Sequence, residues 1–134
     1  MKFWSTSKDG GPYSTVDAYW LIECKRLFSV ALLRFADGSR DAFHSHAFDS
    51  LSWLLSGNVE EEHLVGATVE HRPSLRPLVT RRSTFHRVVS RGTSWVLTFR
   101  GPWAKTWTEY DPQQSQVTVL THGRRALYQV ALAL

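Results

Sequence analysis

The feature that most constrains this chain is a run of short apolar stretches, broken by turn signals at intervals of roughly 8–12 residues. The turn signals are Asp37-Gly38, Gly57-Asn58, the Pro73 to Pro77 bracket, Arg91-Gly92 and Gly101-Pro102. Between them, strands are expected over residues 17–25, 27–36, 41–48, 51–55, 78–82, 85–89, 94–99, 105–110, 116–121 and 126–134. The clearest is Ser94 to Phe99, SWVLTF, which Gly101-Pro102 stops. No long segment keeps a 3.6-residue apolar period with caps, so helices should be few and short. Residues 1–16, rich in Ser, Thr and Gly and broken by Gly10-Gly11-Pro12, read as an irregular lead-in. The expected class is all-β, a sandwich or barrel.

A chain of 134 residues is long enough to close one core, so residues 1–134 are expected to form a single domain. Apolar residues make up 43% and charged residues 21%, a globular rather than a disordered balance. No apolar run is long enough to span a bilayer, and the N-terminus lacks the apolar segment of a signal peptide. A cytoplasmic location is the resulting expectation. The one cysteine, Cys24, excludes an internal disulfide and reads as a small buried hydrophobe rather than a nucleophile.

Chemistry concentrates in Gly38 to Gly57, GSRDAFHSHAFDSLSWLLSG. His44 and His46 are separated by one residue, and on a strand such a pair points to one side. On a helix the two would diverge by about 200°, so shared metal ligation favours extended backbone. His86, in RRSTFHRVV, is the third candidate, and three converging imidazoles suit Fe(II), Zn, Mn or Ni with open coordination positions. His63 and His71 look exposed, and His122 looks like a turn residue. Glu60-Glu61-Glu62 is expected to be the exposed continuation of the strand before it, because adjacent strand residues face opposite ways and do not share a cleft.

The formal charge is +4; twelve of the sixteen basic residues are arginine, and seven of those lie between Arg72 and Arg100. Arginine's planar fork suits carboxylates and phosphates, so either a small anionic molecule binds near His86 or this is a solvated basic strand face. No clustered basic stripe or known motif supports a nucleic-acid partner, and no membrane partner is expected.

These residues resemble the first cupin motif, G-x5-H-x-H-x3-E-x6-G, at Gly38, His44, His46, Ser50 and Gly57, with Ser50 where metal cupins usually have glutamate. The second motif, P-x-G-x2-H, keeps only His86, with Arg81 and Ser83 at the Pro and Gly positions. A closer resemblance, from about Leu21 to Tyr110, is to small phage and bacterial cupin-like proteins with an H-x-H-P-W-D-F-like motif. It is carried by His44-Ser45-His46-Ala47-Phe48-Asp49-Ser50, by Arg81 to Val88, and by Trp95 to Pro102 with Trp107. The resemblance implies a cupin-type jelly roll, a double-stranded β-helix, with one divalent metal held near the mouth of the barrel.

Three imidazoles without a glutamate are also similar to the pattern of thiol dioxygenases. That likeness implies Fe(II), Arg82 or Arg100 clamping a substrate anion, and Tyr110 or Tyr19 as a proton donor. A Zn- or Mn-dependent lyase, isomerase or hydrolase fits the same ligands. Asp49 is open as ligand, as acceptor behind an imidazole, or as turn residue, while Ser50 could hydrogen-bond a bound water. Trp53, with Trp95, Trp103 and Trp107, either lines a pocket or fills the core or a dimer face. The competing class is a non-catalytic barrel that sequesters a small anionic metabolite or nucleotide. A homodimer is expected, with the C-terminal ALYQVALAL serving it or forming an ordinary core strand.

Overall fold

Alternation along the strands sets the architecture. The computed structural model describes residues 1–9, 14–38, 43–111, 113–121 and 126–131. Among these residues there are thirteen strands and no helix. In chain order they are β1 (Lys2–Lys8), β2 (Val16–Glu23), β3 (Ser29–Phe35), β4 (Phe43–His44), β5 (Ser50–Ser56), β6 (Val59–His63), β7 (Thr68–His71), β8 (Leu78–Thr80), β9 (His86–Ser90), β10 (Ser94–Arg100), β11 (Thr106–Asp111), β12 (Gln116–Thr121) and β13 (Ala126–Ala131). One sheet has the order β1-β2-β3-β10-β5-β8 and the other β13-β12-β11-β4-β9-β6-β7. Every pairing is antiparallel.

β10 shows why the sequence folds this way. Ser94, Val96, Thr98 and Arg100 are buried, while Trp95, Leu97 and Phe99 face outward. With β3 on one side and β5 on the other, it is the central strand of its sheet. Inward residues of both sheets build the core: Ala18, Trp20, Ala31, Leu33, Leu54 and Val96 from one, Val59 with Val88 from the other. Along β10 the inward residues run from Ser94 and Val96 to Thr98 and Arg100; along β9 they run back from Ser90 and Val88 to His86. The ends of the two strands away from the Arg91–Thr93 connection therefore turn Thr98, Arg100 and His86 inward.

Some sequence expectations are corrected. Residues 2–8 are not an irregular lead-in but the edge strand β1, paired with β2 from Lys2↔Glu23 to Lys8↔Asp17. Its side chains bury almost nothing, so no apolar alternation announces it. It is held by backbone pairing, by the Trp20 indole N–H donating to Ser7 Oγ at 2.8 Å, and by Lys8 on Asp17 at 2.6 Å. Asp37-Gly38 does not turn a hairpin: β3 and β4 lie in different sheets, Gly38 bridges to Ser90, and Asp37 accepts the Gly92 N–H. Glu60 to Glu62 do not continue β5. The chain turns at Gly57 and enters the other sheet as β6. The β7 strand was not foreseen. The Gly10-Gly11-Pro12 breaker, Asp41, His122 and residues 132–134 lie outside the described residues.

β13 is an end strand of its sheet, and Leu127, Tyr128 and Val130 on it are exposed, so it is not a core strand. Cys24 is half-buried and free.

Candidate metal centre

Three neighbouring segments bring the imidazoles together. β4 is only two residues long and lies between β11 and β9, so His44 pairs with Glu109 on one side and His86 on the other. Past β4 the chain stays extended: the Ser45 N–H donates to the Thr108 carbonyl at 2.9 Å, and the Thr108 N–H donates back to Ser45 Oγ at 3.0 Å. That clamp carries the two-residue alternation on to His46, as the His-x-His spacing requires.

The three rings form a nearly equilateral set, with centroids 4.8 Å apart for His44–His46, 5.1 Å for His44–His86 and 4.9 Å for His46–His86. Each is edge-on to the others, and one nitrogen from each lies within 4.8 Å of the other two. Metal–imidazole bonds are about 2.0–2.1 Å, which sets adjacent ligand nitrogens about 3 Å apart. Small side-chain rotations close the difference, so the donor set fits a divalent ion such as Zn or Fe(II).

His86 is 5% exposed and held by a residue that the sequence reading set aside. Glu61 Oε2 lies 2.5 Å from His86 Nδ1. Its other oxygen, Oε1, meets His71 Nε2 at 3.1 Å and His63 Nε2 at 3.4 Å. Burial opposes ionisation of Glu61, but hydrogen bonds from His86 and His71, with the fields of His86 and His63, outweigh it and hold its pKa at about 2. A carboxylate oxygen this close to Nδ1 accepts from it, so in the neutral imidazole the proton sits on Nδ1 and the Nε2 lone pair is left for a metal. This is the carboxylate–histidine arrangement that fixes a ligand's tautomer and ring orientation.

The expectation that Glu60 to Glu62, His63 and His71 are exposed is therefore corrected. The signal was period two: Val59, Glu61 and His63 share the inner face of β6. Glu60 and Glu62 face out and pair with Arg91 and Arg87. Glu61→Gln should lower metal affinity 10- to 100-fold without unfolding the barrel, as read by competition with a metal-binding dye. Unchanged affinity would refute the orienting role.

The other predicted site residues separate by strand face. A cavity of about 600 Å³ lies between the sheets, and His44, His46, His86, Glu61, Ser50 and Arg100 are in its wall. Asp49 is exposed outside it; its carboxylate accepts the Arg82 backbone N–H at 2.7 Å, so it braces a loop rather than an imidazole. The Arg82 side chain is exposed and outside the cavity, although its carbonyl receives the His46 N–H at 3.4 Å. Trp53 alternates outward between Ser52 and Leu54, stacks edge-on with Phe99 and donates to the Leu75 carbonyl at 3.1 Å. Tyr110 follows Glu109, the register partner of His44, so it faces away from the imidazoles. Tyr19 stacks on Trp95 on the outer side of its sheet. Of the tryptophans considered, Trp103 and Trp107 reach the cavity and Trp53 and Trp95 do not; Trp20, not singled out from sequence, does.

No family model matches the chain, and no curated protein matches it in sequence. Solved structures do match in shape. A sugar phosphate isomerase of the cupin superfamily from Silicibacter pomeroyi has a TM-score of 0.63 at 14% identity, covering 90% of this chain and 84% of that one. Ectoine synthase from P. lautus has a TM-score of 0.60 at 17% identity, covering 72% and 70%. An RmlC-like cupin from Shewanella frigidimarina has a TM-score of 0.56 at 13% identity, covering 71% and 81%. The fold is the cupin jelly roll.

Proposed function

We propose that this chain is a metal-dependent enzyme acting on a small anionic molecule, with one divalent ion on His44, His46 and His86. The observation that carries this reading is the convergence of three imidazole nitrogens within 4.8 Å in the wall of a cavity of about 600 Å³. An ion held by three neutral ligands supplies Lewis acidity and open positions for water, oxygen or an anionic group. The chain's own residues divide the remaining work. Glu61 keeps His86 in the ligating tautomer. Ser50, at the start of β5 and in the cavity wall, offers a hydroxyl where metal cupins usually place a glutamate. Trp20, Phe48 and Trp103 wall the cavity with apolar surface that limits water, and Arg100 presents a cation for the substrate.

Support also comes from the fold's company, since the matched structures include an isomerase and a synthase. The oxygen-dependent form of the proposal rests on the three-imidazole set without a glutamate ligand. It is tested by metal analysis of protein purified without added metal, followed by oxygen uptake with small thiols and carboxylates. An empty centre in such protein that also refuses added Zn, Mn, Ni and Fe(II) would overturn the metal reading. Filled protein that consumes no oxygen would leave the lyase, isomerase or hydrolase form.

A second copy of the chain is the proposed partner, pairing across the open edge of β13. An antiparallel edge contact is self-complementary under twofold symmetry, and Leu127, Tyr128 and Val130 there are exposed. Leu127→Lys with Val130→Lys should convert a dimer to a monomer in sedimentation velocity. A wild-type monomer at micromolar concentration would contradict the pairing.

A further inference from the structure

Arg100 is an unusual residue to find on the central strand of a hollow barrel. It is 5% exposed, and a buried guanidinium must be compensated by partners. Asp9 supplies most of that compensation end-on: Nη1 donates to Oδ1 at 3.0 Å and Nη2 to Oδ2 at 2.7 Å. The guanidinium also lies over Trp20 at 5.3 Å and Phe48 at 4.5 Å. Its third nitrogen, Nε, is buried with no hydrogen-bond partner among the described residues. A buried donor left without an acceptor is destabilising. Phe48 in turn packs on His46 with ring centroids 5.1 Å apart, so one aromatic ring separates the guanidinium from the imidazole cluster.

The two partners are held very differently. Arg100 is pinned on both sides, opposite Ser29 of β3 and Ser50 of β5. Asp9 follows the edge strand β1, whose side chains contribute nothing fully buried, and is itself partly exposed. Among its contacts, its N–H donates to the Val16 carbonyl at 2.9 Å, and its carbonyl accepts from Ser14 Oγ at 2.5 Å. The seat is rigid and its occupant is peripheral.

We propose that Arg100 is the oxyanion seat of the cavity and that Asp9 is a built-in stand-in for the ligand, whose carboxylate or phosphate takes its place on the guanidinium. The inference rests on the cavity being a ligand site, but not on the metal. A tethered carboxylate competes at an effective concentration in the millimolar range or above, so removing it strengthens binding of a free oxyanion.

The test is calorimetric titration of chelator-treated full-length protein with inorganic phosphate, and separately with malonate. Asp9→Asn keeps the side-chain shape and is expected to bind at least one of the two anions tenfold or more tightly than wild type. Arg100→Gln is expected to abolish binding in both backgrounds. Equal affinity in wild type and Asp9→Asn, or binding that survives Arg100→Gln, overturns the proposal. A wild-type measurement guards against a variant that fails to fold: saturating anion should shift the amide resonances of Asp9, Ser14 and Val16, and unmoved resonances overturn it equally. The arms separate from the metal reading because His44→Ala with His46→Ala should leave the affinity ratio intact. A metal that loads without the tenfold ratio sinks the seat alone, and the ratio without any metal sinks the centre alone.

Discussion

Replacing His44 and His46 together with alanine is expected to empty the metal centre, from about one ion per chain to less than about a tenth, as measured by plasma mass spectrometry on protein purified from metal-supplemented cells. The double variant leaves one imidazole of three, and chelation is lost with the second donor. The barrel should survive. Both rings are only half-buried, neither belongs to the apolar core, and β4 is fixed to its neighbours through backbone bonds. Circular dichroism should therefore match the wild type while metal content collapses. Full occupancy in the double variant would show that the ligands lie elsewhere. The Glu61→Gln variant serves as the graded comparison, because it weakens the orientation of one ligand and removes none.

Gly57→Ala should be the most damaging alanine substitution among the described glycines, lowering stability by about 3 kcal/mol or more. The backbone there has φ of +95°, which side chains rarely adopt. An added Cβ would also clash with Ser94 Oγ and lie 2.7 Å from Ser94 Cα. The second contact is with backbone on the central strand, so nothing flexible can yield. The position matters because the chain passes here from one sheet to the other. Ser94 Oγ ties that passage down by accepting the Asn58 N–H at 3.1 Å and donating to the Asn58 carbonyl at 3.2 Å. Gly92→Ala is the control: φ is +72° but nothing lies within 4 Å of the added carbon, so only the conformational cost of about 1 kcal/mol applies. Urea denaturation of both variants reads the difference. A Gly57→Ala midpoint indistinguishable from wild type would mean that the turn relaxes freely.

The sequence made the strand framework readable because period-two alternation survives wherever one face of a strand meets the core. The β10 strand is the plainest instance, with Val96 and Thr98 inside and Leu97 and Phe99 outside. The same rule made His44 and His46 legible as a pair. Cross-strand neighbours are not written locally. His86 lies opposite His44 only through the β4–β9 register, and only its place in a motif pointed to it. Glu61 was hidden by its neighbours: three consecutive glutamates look like a solvated run until the strand separates the middle one from the other two. Trp53 and Tyr110 were misplaced for the converse reason, since aromatic character says nothing about which face a residue occupies. Asp9 was invisible because the edge strand before it carries no apolar pattern and its partner is in β10, far along the chain.

On the proposed reading, the two sheets carry separable tasks. His44, His86 and Glu61 stand on the seven-stranded sheet, whereas Ser50, Ser52, Thr98 and Arg100 stand on the six-stranded one, across the cavity. Because each inward face can be altered without changing the register of the other, ligand preference and ion chemistry are free to diversify independently. Redesign of this barrel for a new compound would begin at β5 and β10 and leave β4, β6 and β9 alone.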